Sequence, residues 1–241
     1  MASLKPIFRN ATEANKTIFK NSKCLLTISV GQETHEHEFF DTTIDLVNRS
    51  FNSCILLVDD SLQRHTMALN SIENADYFYT ASVKAGNLWL ERNKQYYSKL
   101  SIPTEILRWD SWLKHPNYRS QKKILKALIE NDRNYKAAFD ISIEKFLEKY
   151  TSRLAHYENF NVEKAWQLSF DFLIEECTAL CLWTELECQF EVYPSRRNQA
   201  MDETHKRFVL PNHPDLLHPI GIKFKNAKQI KPQFFEQIAF S

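Results

Sequence analysis

Cys24-Leu25-Leu26-Thr27-Ile28-Ser29 is an apolar run that delivers one hydroxyl into the turn Val30-Gly31-Gln32. A second apolar run, Cys54-Ile55-Leu56-Leu57-Val58, ends on Asp59-Asp60. Between them, Glu36 to Phe51 carries apolar side chains at Phe39, Phe40, Ile44, Val47 and Phe51, with Thr43 in the same stripe, which is a helical period. Two buried strands joined by a helix make a βαβ unit, and its right-handed crossover sets Ser29 and Asp59 side by side on one edge of a parallel sheet. Open α/β sheets receive ligands at the carboxyl ends of their strands, so this edge is where chemistry is expected.

The rest of the chain continues the pattern. Helical periodicity runs from Glu73 to Leu100, where Lys84, Leu88, Arg92, Tyr96 and Lys99 fall on one flank, and again over 116–129, 135–150 and 162–182. Short strands are expected over 104–109 and 187–193, the latter stopped by Pro194, with a further one at 208–210 or 221–224. The fold class is therefore α/β, a single domain with a Rossmann-like parallel sheet flanked by helices.

Composition narrows the function. Of 241 residues 43% are hydrophobic and 25% charged, and no apolar run approaches the roughly 18 residues that span a membrane. The first sixteen residues lack the apolar core of a signal peptide, so a cytoplasmic location and no membrane association are expected. Five cysteines (Cys24, Cys54, Cys177, Cys181, Cys188) form no Cys-x-x-Cys pair and read as reduced core thiols; no metal is expected, since zinc-type spacing is missing. Three glycines leave no dinucleotide or Walker-type phosphate loop, and no Gly-x-Ser-x-Gly elbow surrounds Ser29. From Arg92 to Lys136 eleven basic residues face four acidic ones on a chain of net charge +1, a local excess that suits a polyanion or a solvated helix face.

Three segments combine at this point: Thr27-Ile28-Ser29-Val30-Gly31-Gln32, Phe172-Leu173-Ile174-Glu175-Glu176 within the last long helix, and Val192-Tyr193-Pro194 beyond it. Together they resemble the motifs of the tRNA-dependent cyclodipeptide synthases. The resemblance spans residues 17–224 and includes Val58-Asp59, the helix from Ser82-Val83-Lys84 and the stretch Trp112 to Tyr118. In that family a Gly-x-Ser-x-x-Asn pattern supplies a nucleophilic Ser, a Tyr-x-x-x-Glu helix holds the aminoacyl group, and a later Tyr precedes His or Pro. Ser29, Glu176 and Tyr193 match the three catalytic positions. Pro194, with Gln32 in place of Asn, resembles the subgroup in which that Tyr precedes Pro, the XYP-like subgroup. Thr27 stands where Gly is common, and Phe172 replaces the helix Tyr, so it brings no hydroxyl.

The resemblance implies an arm at 1–16, a catalytic domain at 17–224 similar to class I aminoacyl-tRNA synthetase catalytic domains, and a C-terminal tail at 225–241. It implies ping-pong transfer of two aminoacyl groups from two aminoacyl-tRNAs through aminoacyl-Ser29 and a dipeptidyl-enzyme to a cyclic dipeptide, with no cofactor, by a monomer without an obligate protein partner. Substrate contacts fall to Thr27, Gly31, Gln32, Phe172 and Pro194, with Leu25 and Leu56 lining the first side-chain pocket. tRNA contacts fall to Lys84, Arg92, Lys94 and Lys99. Glu176 pairs with the substrate ammonium, Tyr193 relays a proton, and Ser29 needs no Ser-His-Asp triad through His35 or His65. The alternative reading is a catalytically weakened tRNA-binding protein of the same fold.

Overall fold

A computed structural model describes residues 4–70, 73–154 and 161–226. Its elements, in chain order, are β1 (Lys5–Arg9), α1 (Glu13–Ile18), β2 (Lys23–Ser29), α2 (His37–Ser50), β3 (Ser53–Asp59), α3 (Arg64–Met67), α4 (Ala75–Tyr97), β4 (Thr104–Arg108), α5 (Asp110–Leu113), α6 (Tyr118–Asn131), α7 (Arg133–Leu154), α8 (Val162–Leu182), β5 (Phe190–Tyr193), α9 (Gln199–Thr204) and β6 (His218–Lys225), with short 3₁₀ and π turns between. The strands form one sheet in the order β1-β6-β5-β2-β3-β4.

The sheet has the expected parallel body and is mixed only through one edge strand. β6, β5, β2, β3 and β4 run parallel, and β1 closes the edge antiparallel to β6. β1 lies within the stretch read as an arm. Its five residues include Pro6 and show no clean alternation of burial, so the period-two signal is weak, and an edge strand tolerates a proline. The candidate strand at 208–210 is helical instead: His205–Val209 is a π turn, and the last strand is His218–Lys225. Residues 227–241, most of the expected tail, lie outside the described residues.

Period two divides the core. On one face Leu25, Ile55 and Leu57 pack with Leu125, Ile129, Phe139, Ile143 and Ile174 of α6, α7 and α8. On the other, Leu26, Ile28, Leu56 and Val58 pack with Phe40, Ile44 and Val47 of α2 and with Ala85 and Trp89 of α4. Thr27 and Ser29 follow Leu25 on its face, so β2 runs out of core directly beneath α8 and presents a hydroxyl there. β3 and β2 pair in strict register to Ser29 opposite Asp59, and β5 ends at Tyr193 on the other side of β2. Gly86 lets α4 reach the end of β3: a Cβ there would stand 2.5 Å from the Asp60 side chain.

Candidate active site

Tyr193, Ser29 and Asp59 occupy successive strand ends. The Oγ of Ser29 lies 3.2 Å from the Tyr193 hydroxyl, and both line a cavity of about 220 Å³. Thr27, Gln32, Asp59, Phe172, Glu176 and Glu191 line it too, and Ile143 and Leu168 add apolar wall. Motif positions from β2, α8 and β5, far apart in the chain, thus converge on one space.

The turn after Ser29 explains how the nucleophile is held. Gly31 takes φ +95°, a left-handed conformation that favours glycine, and the Gln32 N–H donates to the Ser29 carbonyl at 3.2 Å. The Ser29 N–H donates to Nδ1 of His35 at 2.8 Å. The imidazole is buried and stands edge-on to the Tyr193 ring at 5.2 Å, so it braces the Ser29–Tyr193 pair without touching Oγ. No triad forms through it.

Burial holds the His35 ring down at about 3, so it stays neutral. Between the ordinary value of 6.5 and about 3 the unfolded chain binds a proton here that the folded chain refuses. Stability therefore falls as pH drops through that window, by up to about 1.4 kcal/mol per pH unit. His35→Phe keeps a ring against Tyr193 and removes the titration. Urea titrations at pH 7 and pH 4.5 should show a smaller acid loss in the variant than in the wild type; an equal loss would contradict the assignment.

The electrostatics of the cavity are unusual. Burial pushes Glu176 up to about 7, with the nearby Glu191 carboxylate adding to the rise and a hydrogen bond from Asn198 Nδ2 at 2.8 Å opposing it. Burial, then Glu176, Asp60 and Glu191, hold Asp59 well above the ordinary carboxylate range. Glu191 is raised by burial in turn, and Arg197, 3.4 Å from it, is the cation that opposes this. Such a site favours a cationic guest, whose charge would let the carboxylates ionise. Burial also raises the Tyr193 hydroxyl, which stays protonated at neutral pH. Among the described residues no group of three or more His, Cys, Asp or Glu side chains is arranged to hold a metal ion.

Other expected contacts fall elsewhere. Leu25 is on the correct face but is sealed in the core below Thr27, and Leu56, one residue out of phase, faces α2 and α4; neither lines the cavity. Gly31 shapes the turn from outside the cavity wall, and buried Pro194 borders a neighbouring concavity. On α4, Arg92 makes a forked pair with buried Glu36 at 3.0 and 2.5 Å, which Asn93 joins, and Lys99 pairs with Asp41. Lys84 and Lys94 are exposed. The basic excess of 92–136 is thus partly offset in space by acids from other segments, as Arg108 with Asp60 also shows.

Comparison with known proteins places the chain. No protein-family model matches it, and no curated protein does. Among solved structures it is similar to a CDPS, or cyclodipeptide synthase, from Fluoribacter dumoffii, with 41% identity, a TM-score of 0.89, and coverage of 92% of this chain and 99% of that one. The chain belongs to the cyclodipeptide synthase family. It is accordingly an enzyme, an aminoacyl-group transferase. The fold is shared more widely: the cyclodipeptide synthase from Candidatus Glomeribacter gigasporarum, solved bound to Phe-tRNAPhe, matches at TM-score 0.74 with 17% identity over 93% of this chain and 96% of that one. A Mycobacterium tuberculosis protein, whose structure relates cyclodipeptide synthetases to type I tRNA synthetases, matches at 0.64 with 11% identity over 93% and 95%. No helix among the described residues of this synthase is long and apolar enough to cross a membrane.

Part of this synthase's site escapes a reading of the sequence. Glu191 and Tyr193 alternate onto one face of β5, and Arg196-Arg197-Asn198 follows Tyr193-Pro194-Ser195 directly, so the signal is local. A second concavity of about 560 Å³ adjoins Tyr193 and carries Arg9, Arg196 and Lys223, while Arg197 in its wall is held between Glu191 and Asp202. Its cations come from β1, the loop after β5, and β6, three segments that only the sheet brings together.

Proposed function

We propose that the chain is a tRNA-dependent cyclodipeptide synthase of the Tyr-Pro subgroup that works by ping-pong transfer through Ser29. The observation that carries this reading is the 3.2 Å approach of Ser29 Oγ to the Tyr193 hydroxyl at the mouth of a cavity whose wall holds Glu176.

In the first step Ser29 Oγ bonds to the carbonyl carbon of an aminoacyl-tRNA ester, and the bond from that carbon to the ribose oxygen breaks. The neutral Tyr193 hydroxyl accepts the serine proton while passing its own to the departing oxygen, which needs no histidine base. Glu176 pairs with the α-ammonium and fixes the acyl group, its orientation set by Asn198. In the second step the amine of aminoacyl-Ser29 bonds to the ester carbonyl carbon of a second aminoacyl-tRNA, the bond from that carbon to the ribose oxygen breaks, and the proton shed by the amine ends on that oxygen, giving the dipeptidyl-enzyme and free tRNA. In the third the new terminal amine attacks the Ser29 ester, closing the diketopiperazine ring and freeing the serine. The ester is already activated, so no ATP is consumed. The protein acts as a cytoplasmic monomer with no cofactor, and its catalytic unit is residues 17–224 together with β1, which closes the edge of the same sheet.

For tRNA, the groove beside Tyr193 is the better support, since Arg92 and Lys99 of α4 are engaged with Glu36 and Asp41. The groove leads to the reacting hydroxyls, and its cations suit phosphates. In filter binding across a salt series, Arg196→Glu with Lys223→Glu should weaken aminoacyl-tRNA binding and flatten the salt slope by about 0.7–0.9 for each phosphate no longer neutralised. Arg92→Gln should leave that slope near wild type, because it removes a partner of buried Glu36. The opposite order would return the phosphates to α4.

The test of the function is mass spectrometry of the medium after bacterial expression, which should show a diketopiperazine that vector controls lack. Phe172 on the cavity wall, without the hydroxyl of the family Tyr, supports a second reading in which the chain binds aminoacyl-tRNA but acylates poorly. tRNA binding with no acyl-Ser29 and no product would favour it.

A further inference from the structure

Asp59 is a cavity carboxylate to which the three steps assign no role. It is 4% exposed, lines the cavity, and its Oδ1 has no hydrogen-bond partner. A buried carboxylate oxygen left unpaired is costly, and such groups call for an explanation. Glu176 differs, since Asn198 occupies one of its oxygens. Asp59 sits in register opposite Ser29 on the adjacent parallel strand, and neighbouring strands lie about 4.8 Å apart, so its side chain stands beside whatever is esterified to Ser29.

We propose that Asp59 is the general base of ring closure, the acceptor of a proton from the terminal α-ammonium of the dipeptidyl-enzyme. This rests on the acyl-Ser29 reading above. The ammonium nitrogen carries three protons and the amide of the product one. The nitrogen bonds to the ester carbonyl carbon, the bond from that carbon to Ser29 Oγ breaks, and two protons leave. One goes to Asp59 and the other to Ser29 Oγ by way of the Tyr193 hydroxyl. The surroundings strengthen Asp59 as a proton acceptor relative to an exposed carboxylate. Burial first, then Glu176 from α8, Asp60 beside it and Glu191 from β5 favour its protonated form, while His65 of α3, Tyr193, Arg196 and Arg197 complete the ionisable groups lining the cavity.

The test is Asp59→Asn in the full chain, supplied with aminoacyl-tRNA and followed by intact-protein mass spectrometry. The variant should acylate at Ser29, advance to the dipeptidyl-enzyme and stall there, with cyclic product slowed by about 100-fold or more, the usual worth of a positioned base. When the stalled protein is isolated and moved to alkaline pH, where the amine deprotonates unaided, ring closure should recover about tenfold per pH unit until the amine is neutral. Acylation to the dipeptidyl stage serves as the internal check on folding. Product formation within twofold of wild type, a stall before the dipeptidyl stage, or a stalled species indifferent to pH would each overturn the role of Asp59 alone. A wild type that never acylates would instead remove the reading on which it rests.

Discussion

Ser29→Ala should abolish covalent capture of the aminoacyl group and lower cyclodipeptide output by at least about 10³-fold, the scale on which nucleophile deletions act. Radiolabelled aminoacyl-tRNA should leave label on the wild-type protein and none on the variant, and equal labelling of both would displace Ser29 from its assigned role. The variant should still bind aminoacyl-tRNA, because the cations of the groove beside Tyr193 are untouched. Its fold should hold as well. The Ser29 N–H bond to His35 is a backbone donation that alanine retains, and only the 3.2 Å hydrogen bond to Tyr193 disappears. A fall in labelling can therefore be read as chemistry, which is seldom so clean for a side chain that is 7% exposed.

The parts of this fold legible in sequence are those where one physical signal acts alone. Cys24–Ser29 and Cys54–Asp59 are buried on both faces and read as continuous apolar runs. Val162–Leu182 has the length and period of a helix, and the structure returns the same bounds. The sheet edge is harder, because Lys5–Arg9 gains its place only by pairing with Lys225–Gly221 at the far end of the chain. The site divides in the same way. Motif spacing carries Thr27, Ser29, Phe172, Glu176 and Tyr193, and the cavity gathers all five. Motif alignment places Leu25 and Leu56 without regard to phase, although a shift of one residue turns a strand side chain to the opposite face. Arg92 illustrates the limit of charge counting: its partner Glu36 is remote in sequence, and no local tally reveals that a cation is already bound.

Glu175 and Glu176 are the sharpest test of that distinction, since they are neighbours in sequence and about 100° apart on α8. Glu175 accepts Arg64 through both oxygens at 2.9 and 2.5 Å and Trp109 Nε1 at 2.7 Å. Burial alone would raise it, but His65 and the Arg64 fork outweigh this and hold it at about 2. Its folded value lies below the ordinary 4.5, so the stability it confers is present above that pH and is lost as pH falls toward 2. Glu176 has the opposite sign. Raised to about 7, it favours the fold when protonated, and that contribution disappears as pH rises through 7. Glu175→Ala strands a half-buried guanidinium and should cost about 3 kcal/mol at pH 7, at the lower end for a broken buried pair because Arg64 retains some solvent. Glu176→Gln should leave stability unchanged or higher at pH 8, while turnover falls by about tenfold to a hundredfold as a charged hydrogen bond to the substrate becomes a neutral one. Guanidinium titrations beside cyclodipeptide assays separate the two. If Glu176→Gln unfolds the protein while Glu175→Ala spares it, the roles assigned to the two carboxylates are reversed.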